Sequence, residues 1–271
     1  MSKGMSSLVN RLGEIGFERT RRAVAALALS LFVSLYLLIS LNAPPGWSVA
    51  FLALGACYLV AFLAVAAEWF WGRWFASGLG WSGVMVAIAS LVMMGWTPPL
   101  AIYGLLHALI VIPLAGRKMA ARYDLQEAWR TRYRMDDLGV ARLRRTVTRA
   151  SASLPSVILW ALGPKTDALW GFAQRRPELA WLGGLAALVL VAAGLRGVVR
   201  LRSWGLVALA GAGVLVAAFG HLWAFATPTV VDFGPLPALF AFATSTMAVL
   251  LLAAAVVPFV GPAARFLRRR S

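Results

Sequence analysis

Two histidines, an acid at the edge of an apolar stretch, a glycine-rich hexapeptide and a run of arginines are the residues whose types and spacing could do chemistry. His107 and His221 both fall inside long apolar stretches, where an ionisable side chain is expensive to place and marks a functional candidate. Paired imidazoles invite a b-type haem, which needs both ligands at one depth. His107 falls near the middle of its stretch and His221 in the outer third of another, so neutral, hydrogen-bonded imidazoles are favoured over haem ligation. Neither has a carboxylate or thiol at ligand spacing, so no metal site and no cofactor are expected. Glu68, five residues before Arg73, is the most deeply placed carboxylate in this reading. It is expected to pair with a basic neighbour at the membrane interface; the sharper alternative is a transporter's coupling residue.

GLGWSG (78–83) matches the dinucleotide-binding pattern G-x-G-x-x-G. That fingerprint needs a preceding strand and an acid about 20 residues on, yet no Asp or Glu occurs between Glu68 and Asp124. The glycines are read instead as points of close helix approach, as are Gly213, Ala217 and Gly220. There is no paired-carboxylate, Ser-His-Asp, P-loop or H-E-x-x-H arrangement, so no catalytic residue is expected.

Residues 117–149 carry ten basic side chains. DLQEAWRTRYR (124–134) and DDLGVARLRRTVTR (136–149) read as two helices, the second with acids at its start and Arg toward its end, which suits the helix dipole. Arg142, Arg144, Arg145 and Arg149 are the candidates for contact with anionic headgroups or a partner subunit. Each is worth about 1 kcal/mol near an anionic surface. Nucleic acid is disfavoured, because the basic residues flank apolar stretches as membrane topology requires.

The elements that must position these residues are membrane helices. Hydrophobic residues form 61% of the 271 and charged ones 13%, and the apolar residues fall in blocks of the length a hydrocarbon core of about 30 Å demands. Seven spans are readable, at about 23–42, 48–70, 75–96, 98–115, 179–195, 203–226 and 236–261. The first is read as an uncleaved span preceded by a short interfacial helix within 1–22. Trp47, Trp69, Trp71, Trp74, Trp96, Trp204 and Trp223 fall near span ends, as indoles do at headgroup level. Cys57, the single cysteine, is expected to pack as a small hydrophobe.

The span count turns on RASASLPSVILWALGPK (149–165). If it does not cross, seven arginines near 196–202 and 265–270 lie outside; if it crosses, only Lys165, Arg175 and Arg176 do. Against crossing, Ser153 and Pro155 could start a short helix that Gly163-Pro164 would stop. For it, VIPLAG (111–116) resembles VVPFVG (256–261), as the ends of two four-span repeats on one side would. The favoured expectation is an all-α polytopic transmembrane bundle of eight spans, with seven plus one interfacial or re-entrant helix as the alternative. Its layout is a basic segment 1–22, a four-span half 23–116, an arginine-rich cytoplasmic loop 117–149, a second half 150–262 and a basic tail 263–271. The 23 arginines against three lysines suggest a GC-rich bacterial genome, hence an inner-membrane protein with both termini cytoplasmic. The expected role is a non-enzymatic structural or accessory membrane component; a small transporter is the alternative and a haem-bearing electron-transfer subunit the third.

Overall fold

The structure, a computed structural model, describes residues 3–44, 46–163, 177–219 and 235–268. Among these it is all-helical, with ten helices: α1 Lys3–Asn42, α2 Ser48–Ala66, α3 Gly72–Met94, α4 Pro98–Leu114, α5 Arg117–Asp124, α6 Glu127–Tyr133, α7 Asp137–Leu162, α8 Pro177–Val199, α9 Trp204–Ala217 and α10 Pro235–Arg268. Local sequence explains the breaks. Pro98 and Pro99 open α4, where their missing N–H groups cost nothing. Gly116, at φ 94°, provides the left-handed turn at which α5 leaves α4 at 73°. Asp136 caps α7 by accepting from the Gly139 amide at 2.7 Å.

Five of these helices are long and apolar enough to cross a membrane: Gly16–Asn42, Ser48–Ala66, Gly72–Met93, Trp181–Val199 and Ser245–Pro262; α4 with α5 would make a sixth if the bent pair is one span. Their outward faces are apolar, as Leu27, Leu31 and Leu38 on α1 and Leu182, Leu185 and Val189 on α8 show. Membrane helices gain little from hiding such residues and associate through close packing. They pack here in two closed rings. In the first, α1 contacts α2 and α4, and α3 closes the circuit; in the second, α7 contacts α8 and α10, and α9 closes it. The rings meet along α3 and α7.

The second helix expected from the arginine run does not stop at residue 149. It continues as α7 to Leu162, so Ser153 and Pro155 lie inside a helix and start none. The physical reason is tertiary: from Ala150 to Leu162 every residue except Pro155 and Leu159 is buried, and packing on all sides outweighs the one backbone bond that Pro155 forfeits. In its first half α7 places Arg144 beside Asp124 at the end of α5, and just past its last residue lies Gly163, where an added Cβ would touch the Trp47 ring just before α2. Residues 3–22 likewise continue α1 without a break.

The two similar span ends differ in structure. VIPLAG ends its helix at Leu114, whereas VVPFVG sits within α10, which runs on to Arg268.

Candidate functional site

The first expected site, His107, is closed to ligands. It is fully buried inside the first ring. Its Nδ1 lies 2.9 Å from the Tyr103 carbonyl, which can only accept, so Nδ1 carries the proton. Nε2 then accepts from the Tyr58 hydroxyl at 2.7 Å. Tyr36 and Tyr103 share a hydroxyl contact at 3.2 Å, and the Phe32 ring centroid lies 3.9 Å from the imidazole. Both nitrogens are occupied, so axial ligation of a haem would have to break the Tyr58 bond. Gly83 makes the fit possible: a Cβ there would fall 1.9 Å from the imidazole Cδ2. His221, the other histidine, lies outside the described residues.

Glu68 caps the end of α2 in a left-handed conformation at φ 53°. Its carboxylate pairs with Arg22 and, at 3.2 Å, with Arg122, which also reaches Glu18 at 3.6 Å. Its carbonyl accepts from Gln126 Nε2 at 2.9 Å. The basic neighbours are therefore brought from α1 and α5 and do not include Arg73. Beside them the Tyr123 phenol is raised above its ordinary pKa by burial, against the pull of Arg22, Arg122 and Arg73, and it donates to the Val65 carbonyl at 3.0 Å.

A second carboxylate organises the feature of most chemical interest. Asp124 is only 4% exposed and holds Arg73 by two bonds, Nη2 to Oδ2 at 3.0 Å and Nε to Oδ1 at 3.3 Å. The Trp74 indole donates to Oδ1 at 2.8 Å, and Arg144 stands 3.6 Å from Oδ2. Arg73 Nη1 also donates to the Leu114 carbonyl at 3.2 Å, and Arg21 donates to the Ala115 carbonyl. Two cations thus meet the carbonyls that the end of α4 leaves free. Sequence reading missed Arg73 and Asp124, which are 51 residues apart. The available signal was that Asp124 is the first acid after Glu68.

Above this pair lies a cavity of about 400 Å³ between α3, α4 and α7, lined by Arg73, Arg144, Arg145 and Arg149 with Ser77 and Thr148. Three of the four arginines expected at headgroups therefore converge on one cavity, joined by Arg73. Arg142 lines a different one, with Arg202 and Ser203. Arg149 also turns into the second ring, donating Nη1 to the Ala254 carbonyl at 2.7 Å. That carbonyl is the one Pro258, lacking an N–H, leaves without its intrahelical donor. Thr146 Oγ1 donates to the next carbonyl, Ala255, at 2.6 Å. Arg145 is exposed and has no polar partner among the described residues.

The electrostatic balance of the cavity is one-sided. Four guanidiniums line it, and the one carboxylate that meets any of them among the described residues, Asp124, pairs with Arg73 and Arg144, which leaves an excess of three positive charges. Guanidiniums present planar forks whose geometry matches phosphate and carboxylate oxygens. Among the described residues no three His, Cys, Asp or Glu side chains gather as a metal site would require. Comparison with protein-family models, with curated proteins and with solved structures returned no match to the chain.

Proposed function

We propose that this chain is a non-enzymatic, polytopic inner-membrane component that holds the phosphate of an anionic phospholipid headgroup in the four-arginine cavity. The single observation that carries the reading is the convergence of Arg73, Arg144, Arg145 and Arg149 on one cavity, with Asp124 the one carboxylate against any of them among the described residues and paired only with Arg73 and Arg144. Basic pockets between membrane helices on the cytoplasmic side are the setting in which such headgroups bind. Arg145 is the direct probe, because removing it breaks no polar contact among the described residues. Added phosphatidylglycerol should raise the melting temperature of the detergent-purified chain more than phosphatidylcholine does, since a ligand of the folded state stabilises it by mass action. Arg145→Gln should weaken the phosphatidylglycerol effect roughly fivefold in concentration, the equivalent of about 1 kcal/mol for one basic group. Equal effects of the two lipids on the unaltered chain would remove the proposal.

The topology that fits this reading has eight spans, with α7 as the fifth and both termini cytoplasmic. Its supports are the contacts in the first half of α7 and just past its end, the 23-to-3 division of basic residues and the course of α10. In α10, Ala255 meets Thr146 and Phe259 shares a cavity with Gly139 and Leu143, so the helix runs toward the start of α7. Alkaline phosphatase, which matures only where disulfides form, should be active when fused after Gln174 and inactive after Ser271. The opposite pattern at both sites would exclude eight spans.

The transporter reading draws on the two rings but needs a polar group between them. His107, the nearest to mid-span, is enclosed within the first ring.

A further inference from the structure

We propose that the crevice between α2 and α8 is a second lipid site, which seats one acyl chain of an anionic phospholipid and pairs its phosphate with Arg196 and Arg200. The crevice goes beyond the four-arginine cavity and shares no residue with it. α2 and α8 both lie on α7 but hardly touch each other, and the space between them is a cavity of about 470 Å³. That volume falls within the roughly 300–1,000 Å³ of small-molecule sites.

Its walls are divided as a lipid is. Leu188, Ala192 and Arg196 line it from α8 at successive four-residue steps, and Arg200, the first residue past the helix end, continues the same stripe through its amide bond to the Arg196 carbonyl. The stripe is apolar over its first two members and cationic over its last two. Ala56, Cys57 and Val60 face it from α2, and Leu154 of α7 also lines it. The small side chains Ala56 and Ala192 hold the crevice open. Arg196 and Arg200 are exposed and make no ion pair among the described residues. Two unmatched cations at the end of an apolar crevice select a molecule with an anionic head and a hydrocarbon tail. A neutral lipid fits the walls but leaves the charges unmet, and a free anion meets the charges but leaves the walls unfilled.

Native mass spectrometry of the full chain in mild detergent tests this by counting bound phosphatidylglycerol or phosphatidylcholine added separately. Two phosphatidylglycerols per chain are expected. Ala192→Trp, which fills the crevice, should leave one. Arg196→Gln with Arg200→Gln changes only exposed side chains, and should remove the preference for phosphatidylglycerol over phosphatidylcholine at one of the two sites. Arg145→Gln should weaken the other site, so failure of the four-arginine reading shows separately. Retention of both phosphatidylglycerols by Ala192→Trp and by the double variant would overturn the crevice proposal. So would a chain dimer that Ala192→Trp abolishes, because the occupant would then be a second copy.

Discussion

Asp124→Ala should be among the most damaging single substitutions in this chain, costing about 3–5 kcal/mol, the range seen when one partner of a buried ion pair is removed. Arg73 and Asp124 are both nearly enclosed, with side chains 9% and 6% exposed, so the guanidinium left behind has little water to turn to. Trp74 would lose its indole acceptor and Arg144 its nearest carboxylate in the same step. Total stabilities of about 5–15 kcal/mol are common, and a loss of this size should appear as a large fall in melting temperature by fluorescence-detected size exclusion. The comparison with Arg73→Met combined with Asp124→Leu is decisive. Replacing both partners by apolar groups of similar bulk is often neutral, so the double variant should recover most of the stability that Asp124→Ala loses. A double variant as unstable as the single one would mean that the damage comes from the orphaned Trp74 indole and Leu114 carbonyl and not from the unpaired charge.

Gly78→Leu should disrupt the seam between the two rings. A Cβ at Gly78 would fall 1.9 Å from Ser151 Oγ and 2.3 Å from the Thr148 carbonyl. The hydroxyl can rotate away, but the carbonyl belongs to the backbone of α7 and cannot. Overpacking typically costs about 1–3 kcal/mol and more where backbone must shift, and the three further carbons of leucine would drive α3 from α7. Gly213→Ala is the control, since a Cβ there meets only Leu252 Cβ at an ordinary 3.5 Å. The expected result is loss of the monodisperse folded peak for Gly78→Leu and its retention for Gly213→Ala. Equal behaviour of the two would show that the α3–α7 seam is not held by close approach.

The sequence made some of this architecture legible and hid the rest for identifiable reasons. Apolar block length located α2, α3 and α4 closely, because hydrocarbon thickness constrains each block on its own. The glycines of GLGWSG were readable as packing points, and Gly78 and Gly83 are where α3 approaches α7 and His107. α7 escaped a reading by blocks because its first half carries Arg142, Arg144, Arg145 and Arg149 and its second half has little lipid-facing surface. A helix enclosed by other helices does not need the composition that lipid demands. Arg144, Arg145 and Arg149 were visible as a run along one helix, whereas Arg73 and Asp124 could be joined only by the fold. The partners of His107 were hidden in the same way: Tyr58 lies 49 residues away, and tyrosine in an apolar block carries no sign of what its hydroxyl will meet.

The length of chain separating α7 from its acceptors sets an order of assembly. Thr146 and Arg149 donate to carbonyls 109 and 105 residues further on, so α7 is synthesised long before those acceptors exist. It is not among the helices apolar enough to enter a bilayer alone; α3 is available to it at once, α8 and α10 only later. Until then its hydroxyl and guanidinium must be satisfied by water or other polar groups, so the first half of α7 reaches its final contacts only after α10 is made. The second ring on this account closes last, and the Ala254 carbonyl freed by Pro258 is one of the acceptors on which it closes.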